Sequence, residues 1–362
     1  MQRVPWRRLA AVLATGACAL AGAGAAPGAV DNAYTVHPLV SNQPALAPIP
    51  DAHLVNGWGL TAGPQTPWWV SDNGTDETTL YNGNTGAPVG LVVAVHGAPT
   101  GAVFNGGTGF KVSHDGATEP ALFLFDTESG VIRGWNPNVP APAPSTRAFR
   151  VVNMRGDNAI FKGLAIATTP RGDRLYATDF HNGKVDVFDE RFHLVSRPGA
   201  FEDPNIPNGY APFGIQAIGN RIFVTYAKQD ANAEDDVAGA GFGFVDVYSR
   251  WGTLLQRVAS RGSLDAPWGI AWAPSNFGEA SGDLLIGNFG DGVINIFEPQ
   301  GHGQFEHEGS LKRRNGNQLV IPGLWALQFG NGAVAGPTNT LFFTAGPADE
   351  THGLFGSIQA HS

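Results

Sequence analysis

Apolar and polar positions alternate along this chain in short runs, and each run ends at Gly, Asn, Asp or Pro before a helical period of 3.6 can be established. A period of two with turn residues at both ends predicts half-buried or buried β-strands. The clearest stretch is 163–190, where GLAIATTP leads to DRLYATDF, a tight HNGK turn, and then VDVFDE. The same order recurs as GIAWAP, DLLIGNFG and DGVINIFEP over 269–299. It appears again as GLTAGP, PWWVSDNG and TTLYNGNTG over 59–86, and as GIQAIG, RIFVTYAK and GFVDVYSRWG over 214–252. GAVFNG with ALFLFDTESG and VIRGWNP, and LWALQFG with TLFFTAGP and GLFGSI, make two further copies.

The six units begin at Gly59, Gly101, Gly163, Gly214, Gly269 and Leu324, at separations of 42, 62, 51, 55 and 55 residues. Units of three or four strands at that period are the signature of a β-propeller, one sheet per blade. The fold class is therefore all-β, a six-bladed β-propeller. The sixth unit runs out of chain after three strands, while YTVHPLV at 34–40 alternates like a strand and has no unit of its own. This N-terminal strand is expected to become the outermost strand of the last blade and close the ring, removing an open edge that would invite aggregation.

Composition agrees with many short strands. The 362 residues include 49 Gly and 26 Pro, only 15% are charged, and 43% are hydrophobic, enough to fill a large core. The first residues read as a secretory signal peptide: arginines at 3, 7 and 8, the apolar run LAAVLATGACALAGAG, and Ala23-Gly24-Ala25 as a cleavage pattern. The expected organisation is a signal peptide over 1–26 and a single propeller domain over 27–362, secreted or periplasmic and monomeric. Cys18 carries a weak lipoprotein alternative, because the usual leucine three residues before it is missing. Loss of 1–26 removes three arginines and no acids, so the formal charge moves from −9 to 19 − 31 = −12 with no cysteine left. Disulfides are thus excluded from the mature chain. Nucleic acid is an unsuitable partner for such an acidic chain with no basic stripe along its sequence, and no later apolar run is long enough to span a membrane.

The LYATDF-HNGKVDVF unit resembles those of NHL-repeat and TolB-like six-bladed propellers. Over 34–358, with NGWGL, the WVSDNGT turn and an acidic insert before GAGFGFVDVYS, the chain resembles a family of exported, largely uncharacterised bacterial propellers. The resemblance implies the fold and leaves function open, since that superfamily holds lactonases, strictosidine-synthase-like proteins, peptidyl-glycine lyase domains and plain binding modules. In the lactonase relatives a single Ca²⁺ polarises the ester carbonyl and a glutamate begins the first blade. This chain carries Asn56-Gly57-Trp58-Gly59 there.

Propeller geometry places the second-to-third strand turns and the blade-to-blade connections on one face, around the central channel. Strand-end Asp72, Asn73, Asp126, Asp179 and Asn288 fall on that face, with Tyr226 and Thr344 in the corresponding places of blades 4 and 6. The blade starts add Asn56, Trp58, Lys162, Phe213 and Trp268. A small molecule or protein is the expected partner, bound by Asn56, Trp58, Asp72, Asn73, Asp126, Asp179, Trp268 and Asn288. Asp179, Asn288 and Asp72 are also the expected ligands if the oxygens hold Ca²⁺, an ion that takes six to eight oxygen donors. Asp and Asn at these places equally form tight turns. The insert KQDANAEDDVAGAG over 228–241 is open to three readings: a lid over the channel, an irregular Ca²⁺ site through Asp230 and Asp236, or a solvated acidic loop. It is not an EF-hand, because Asp235 stands where Gly is needed and Gly241 where the bidentate Glu belongs. His181, in a hairpin turn at the same face, is the candidate base or ligand, and an acid of 230–236 is the alternative base for a hydrolase. Neither G-x-S-x-G nor a phosphate-binding loop is present. The sequence therefore leaves three functions: binding at the channel face, a Ca²⁺-dependent lactonase or esterase-like hydrolase, and a structural envelope module.

Overall fold

The computed structural model describes residues 32–361; the expected signal peptide and Cys18 lie outside these residues. The alternating runs form six antiparallel sheets. Blade 1 is Gly57–Thr61, Trp68–Asp72, Glu77–Tyr81 and Val93–Ala94. Blade 2 is Pro99–Phe104, Phe123–Thr127, Val131–Trp135 and Phe149–Asn153. A separate hairpin, Lys111–His114 with Ala117–Pro120, intervenes between its first two strands and accounts for the longest repeat spacing. Blade 3 is Phe161–Thr169, Gly172–Asp179 and Lys184–Asp189, with a single bridge from Phe188 to Leu194 where a fourth strand would lie. Prolines at 198, 204 and 207 in the following connector lack the amides that a further strand needs. Blade 4 is Tyr210–Ile218, Arg221–Lys228, Gly243–Ser249 and Leu254–Ser260. Blade 5 is Pro267–Trp272, Leu284–Asn288, Ile294–Pro299 and Phe305–Ser310.

Blade 6 contains Leu324–Phe329, Leu341–Ala345 and Leu354–Ala360 and is completed by Tyr34–Ser41, paired antiparallel to its third strand from Tyr34 opposite Ala360 to Ser41 opposite Leu354. The ring is closed as the orphan strand predicted, with two further residues, Ile49–Pro50, pairing parallel outside it. Tyr34 anchors the closure: its hydroxyl donates to the Phe277 carbonyl at 2.9 Å and accepts the Ala280 amide at 2.9 Å, both from blade 5.

First strands line the channel, each against the next, and Leu324–Phe329 returns to Gly57–Thr61. The repeated glycine is required by this approach. A Cβ on Gly59, Gly101, Gly163, Gly214 or Gly269 would stand 2.1–2.9 Å from the neighbouring strand's backbone, 2.1 Å in the case of Gly214 and the Trp268 carbonyl. In blade 6 the corresponding residue is Ala326, two positions after the Leu324 start read from the repeat, since W-A-L there matches W-G-L and W-G-I in blades 1 and 5. Between the blades lie separate apolar layers, such as Val103, Phe110, Leu124, Ile132, Phe161, Leu164 and Leu175 between blades 2 and 3.

Candidate functional site

The residue before the repeated glycine is Trp58, Thr100, Lys162, Phe213, Trp268 and Trp325 in blades 1 to 6. On strands that line a channel, this puts six side chains in one tier at its mouth. The tier is filled. Trp58 stacks on Trp325 with ring centroids 3.7 Å apart, Trp268 meets both edge-on at 6.4 and 6.0 Å, and Phe213 meets Trp325 at 5.9 Å. Phe289 stacks on Trp325 at 4.0 Å and Phe180 lies 5.2 Å from Phe213. Below the rings the channel keeps a cavity of about 20 Å³, lined by Gly59, Gly101, Ala102, Gln216 and Gln328 among others. That is room for one water and not for a metabolite.

Lys162 is the one charged member of the tier and is 1% exposed. Its ammonium sits 5.2 Å above the Trp58 ring, pairs with Glu128 from the second-to-third strand turn of blade 2, and reaches Asp235 of the insert at 2.9 Å. Burial alone pulls its pKa down, but the charges of Glu128 and Asp235 outweigh this and hold it above the ordinary lysine value. The polar layer continues sideways. Glu128 accepts the Asn73 amide at 3.0 Å, Asn73 accepts the Asn56 amide at 3.1 Å, and Asn56 also donates to Glu350 at 2.5 Å and accepts the Trp325 indole N–H at 2.9 Å. Burial raises the Glu350 carboxyl, against the hydrogen bond from Asn56. Asp236 is raised by burial to about 7, and one of its oxygens is shut from solvent with no partner. Five blades thus contribute to one cluster of Lys162 with Glu128, Asp235, Asp236 and Glu350, bounded by two amide side chains.

The insert covers this cluster. Gln229 donates to the Phe180 carbonyl at 2.6 Å, Nδ1 of His181 faces the Ala233 carbonyl at 3.2 Å, and Gly239 N–H donates to Asp265 at 2.6 Å. Its turn is held by Asp230, whose Oδ1 accepts the amides of Asn232 at 3.2 Å and Glu234 at 2.8 Å. Those N–H donors, Glu234 first, keep the Asp230 carboxyl below its ordinary value. Asp230 therefore shapes the insert, while its neighbours at the tip contact the mouth.

Of the residues expected from the sequence, the structure brings together Asn56, Trp58, Asn73, Trp268 and Asp236, with His181 against the insert. The others are turned into their own blades. Asp126 is buried, accepts the Thr100 hydroxyl at 2.9 Å, and is raised by burial to about 7. Asp179 accepts the amides of Ile160 and Asn182 at 3.3 Å and the Asn182 side chain at 2.8 Å, with the Lys184 ammonium 3.6 Å away. Asn288 donates to the Ser263 carbonyl at 2.8 Å and to Asp291 at 3.0 Å. Asp72 is buried beside Thr79 and Tyr81, raised by that burial, with neither oxygen in a hydrogen bond of good geometry. Tyr226 bonds Tyr248 at 2.5 Å inside blade 4. Thr344 donates to the Trp58 carbonyl, and so corresponds to Thr178, which donates to the Phe213 carbonyl at 2.7 Å, one residue before the strand-end position assigned from the repeat.

A Ca²⁺ ion does not fit Asp179, whose oxygens already face two amides, a carboxamide and an ammonium. Among the described residues the one group of three acids with ligand oxygens within 4.8 Å of one another is Glu298, Glu306 and Glu308, exposed on the outer strands of blade 5. Glu128, Glu350 and Trp325 were not among the expected site residues, and Asp235 was expected only as one of the acids of 230–236. Glu128 and Glu350 do lie in the same turn of the repeat as Asn73, and Trp325 matches Trp58 and Trp268 once blade 6 is shifted by two.

No protein-family model matches the chain. It is 34% identical over 338 residues to the uncharacterized protein R648 of Acanthamoeba polyphaga mimivirus, covering 90% of this chain and 80% of that protein. To the uncharacterized protein L690 of the same virus it is 32% identical over 343 residues, covering 90% and 85%. Among solved structures it superposes on a glucose dehydrogenase with a TM-score of 0.53 at 12% identity, covering 91% of this chain and 99% of that one. The PQQ-bound aldose sugar dehydrogenase of Streptomyces coelicolor gives 0.52 at 14% identity with coverage of 91% and 99%, and streptogramin B lyase 0.51 at 10% with 91% and 98%. At these identities the likeness is one of fold alone.

Proposed function

This chain belongs to the family of the mimivirus proteins R648 and L690, and from its own channel mouth we propose that it is a binding propeller that receives a small, hydroxyl-rich polar ligand beneath the insert. The observation that carries the reading is Lys162. A buried ammonium is costly unless paired, and here one of its two partners, Asp235, lies on the tip of a loop. Moving that loop would uncover a donor at Lys162, acceptors at Glu128 and Glu350, the Asn73 carboxamide held in place by Asn56, and the rings of Trp58 and Trp268. Few convergent polar groups over an aromatic floor are what a specific small-ligand site requires. Of the three readings of the insert, this proposal takes the lid.

The test is a thermal-shift screen of the full chain against neutral and acidic monosaccharides and polyols, repeated on Lys162→Met and on Trp58→Ala. A stabilising compound whose effect disappears in Lys162→Met supports the reading; a screen in which every shift survives that substitution rejects it. No catalytic step is assigned, and no metal is needed by the cluster. Native mass spectrometry with and without chelator tests the Ca²⁺-hydrolase alternative, which requires a bound ion. Export after cleavage near residue 26 and a monomeric state belong to the same proposal, and are read by N-terminal sequencing of secreted protein and by light scattering. Among the described residues no helix is long and apolar enough to cross a membrane.

A further inference from the structure

On the face opposite the mouth, where first strands turn into second strands and third into fourth, a cavity of about 170 Å³ opens between blades 3 and 4. Four arginines line it: Arg171 and Arg174 from the turn at the start of Gly172–Asp179, Arg197 from the connector leaving blade 3, and Arg250 from the turn after Gly243–Ser249. Trp251, exposed, stands among them, with the Arg171 guanidinium 5.5 Å and that of Arg197 5.8 Å from its ring centroid. Val195, Ala200 and Phe201 give one side of the cavity an apolar wall.

The charge is compensated only in part, by Asp189 acting on Arg174 from outside the cavity lining. No acid lines the cavity, and among the described residues none of the four arginines lies within ion-pairing distance of a carboxylate. Arg174 donates to the Asp173 carbonyl at 2.8 Å and Arg250 to the Thr168 carbonyl, which fixes their direction without neutralising them. Asp189 stands opposite Arg174 in the neighbouring strand and also accepts the amides of Arg191 and His193 at 2.9 Å, Glu190 accepts the Asp173 amide at 2.8 Å, and Asp246 is paired with Arg257. In a chain of net charge −9, four like charges gathered around one hollow repel one another unless an anion joins them.

We propose that this cavity binds a small ligand through a phosphate or sulfate ester group, held by Arg171, Arg174, Arg197 and Arg250, with its carbon portion against Trp251. Planar guanidinium groups match tetrahedral oxyanions two bonds at a time. The volume is below the roughly 300 Å³ at which drug-sized ligands are accommodated, so the pocket takes the anionic group and the first part of its carrier. Like charges held apart by a shared aromatic ring are already placed, so little ordering is required when the anion arrives.

The experiment is isothermal titration of the full chain with inorganic phosphate, inorganic sulfate, glucose 6-phosphate and glucose 6-sulfate at constant ionic strength, against a chloride control. The expected result is saturable binding of at least one ester, weakened tenfold or more in Arg171→Gln/Arg197→Gln and unchanged in Arg150→Gln, an exposed arginine on blade 2. Preference for the phosphate or the sulfate member of the pair identifies the ester. Both substituted guanidinium groups are exposed and their ring contacts are with Trp251, so folding should survive; a ligand-dependent rise in melting temperature, present in the native chain and absent from the double variant, provides the second reading. Absence of saturable binding, or equal weakening by Arg150→Gln, overturns the proposal.

Discussion

One ammonium with two unequal partners allows a sharp test of the mouth. The Lys162 side chain is 2% exposed; Glu128 is 27% exposed and Asp235 73%. Opposite charges about 4 Å apart attract by roughly 4 kcal/mol in surroundings of effective dielectric 20 but by about 1 kcal/mol in water. Glu128→Gln keeps shape and an acceptor while removing the charge that holds the buried ammonium. It should therefore lower stability by about 2–4 kcal/mol, near the range for breaking a buried pair. Asp235→Asn removes a charge that is mostly in solvent and should cost under about 1 kcal/mol. Its effect should instead be local, since Asp235 ties the insert to the ring: deuterium uptake across 229–241 should speed up by about threefold to fivefold while the blade strands stay protected. Urea unfolding monitored by tryptophan fluorescence gives the two free energies by linear extrapolation, and exchange read by mass spectrometry gives the local term. Adding about 0.5 M salt should weaken the Asp235 contribution more than that of Glu128. Equal losses for the two substitutions, or unchanged uptake in Asp235→Asn, would refute the assignment of Lys162 as a buried ion held partly by a movable loop.

Stability should fall as pH rises from about 4 to 8, because burial raises Asp126 and Asp236 to about 7 and Asp246 to about 6. Their protonated forms favour the fold most fully below the unfolded value of 3.8, and that stability is lost as pH passes through 6 to 7; a higher melting temperature at pH 8 than at pH 5 contradicts this. Arg257→Met should cost about 3–5 kcal/mol by calorimetry, since it strands Asp246 and Asp203, whose side chains are 0% and 2% exposed; a loss under about 1 kcal/mol would mean that the pairs do not form. Gly214→Ala, with its Cβ 2.1 Å from the Trp268 carbonyl, should destabilise by about 3 kcal/mol or more. Gly90→Ala, with nothing within 4 Å, should stay within about 0.5 kcal/mol, so equal effects would sink the packing argument. Removing residues 1–48 deletes the strand paired to Leu354–Ala360 and should yield a chain that aggregates through that bare edge; a stable, monomeric truncation would show that closure is dispensable.

The ring was legible because its demand is the same in every blade. Six first strands converge on one axis, and the glycines at 59, 101, 163, 214 and 269 recur because nothing larger fits between neighbouring backbones. Blade 6 breaks the pattern with Ala326, which is why its start was read two residues early and Trp325 was separated from its partners. The arginine pocket follows the opposite logic. Residues 171, 174, 197 and 250 share no repeat position, and they meet because two turns and an irregular connector end at the same seam. A seam between blades leaves no period in the sequence.

Strand-end acids show where repeat logic stops. Asp72, Asp126 and Asp179 close second strands at matching places, a recurrence that fits a shared site and a structural turn equally, and each is buried. Side chains alternate along a strand. A one-residue step therefore separates Asp72, buried beside Thr79 and Tyr81 of its own blade, from Asn73, which joins Asn56 and Glu128 at the mouth. The repeat preserves this alternation in every blade and cannot reveal which side faces the channel. What does distinguish the channel-mouth side is disagreement with the repeat. The channel tier is tryptophan in three blades, phenylalanine in one and a small hydroxyl in another, and lysine in blade 3. A full charge in that company must be answered by acids from neighbouring turns, and the turns of blades 2 and 6 supply Glu128 and Glu350 while the insert supplies Asp235 and Asp236. The odd residue in a repeated tier, followed outward to the groups that neutralise it, leads to the candidate site; the residues that match from blade to blade lead to the scaffold.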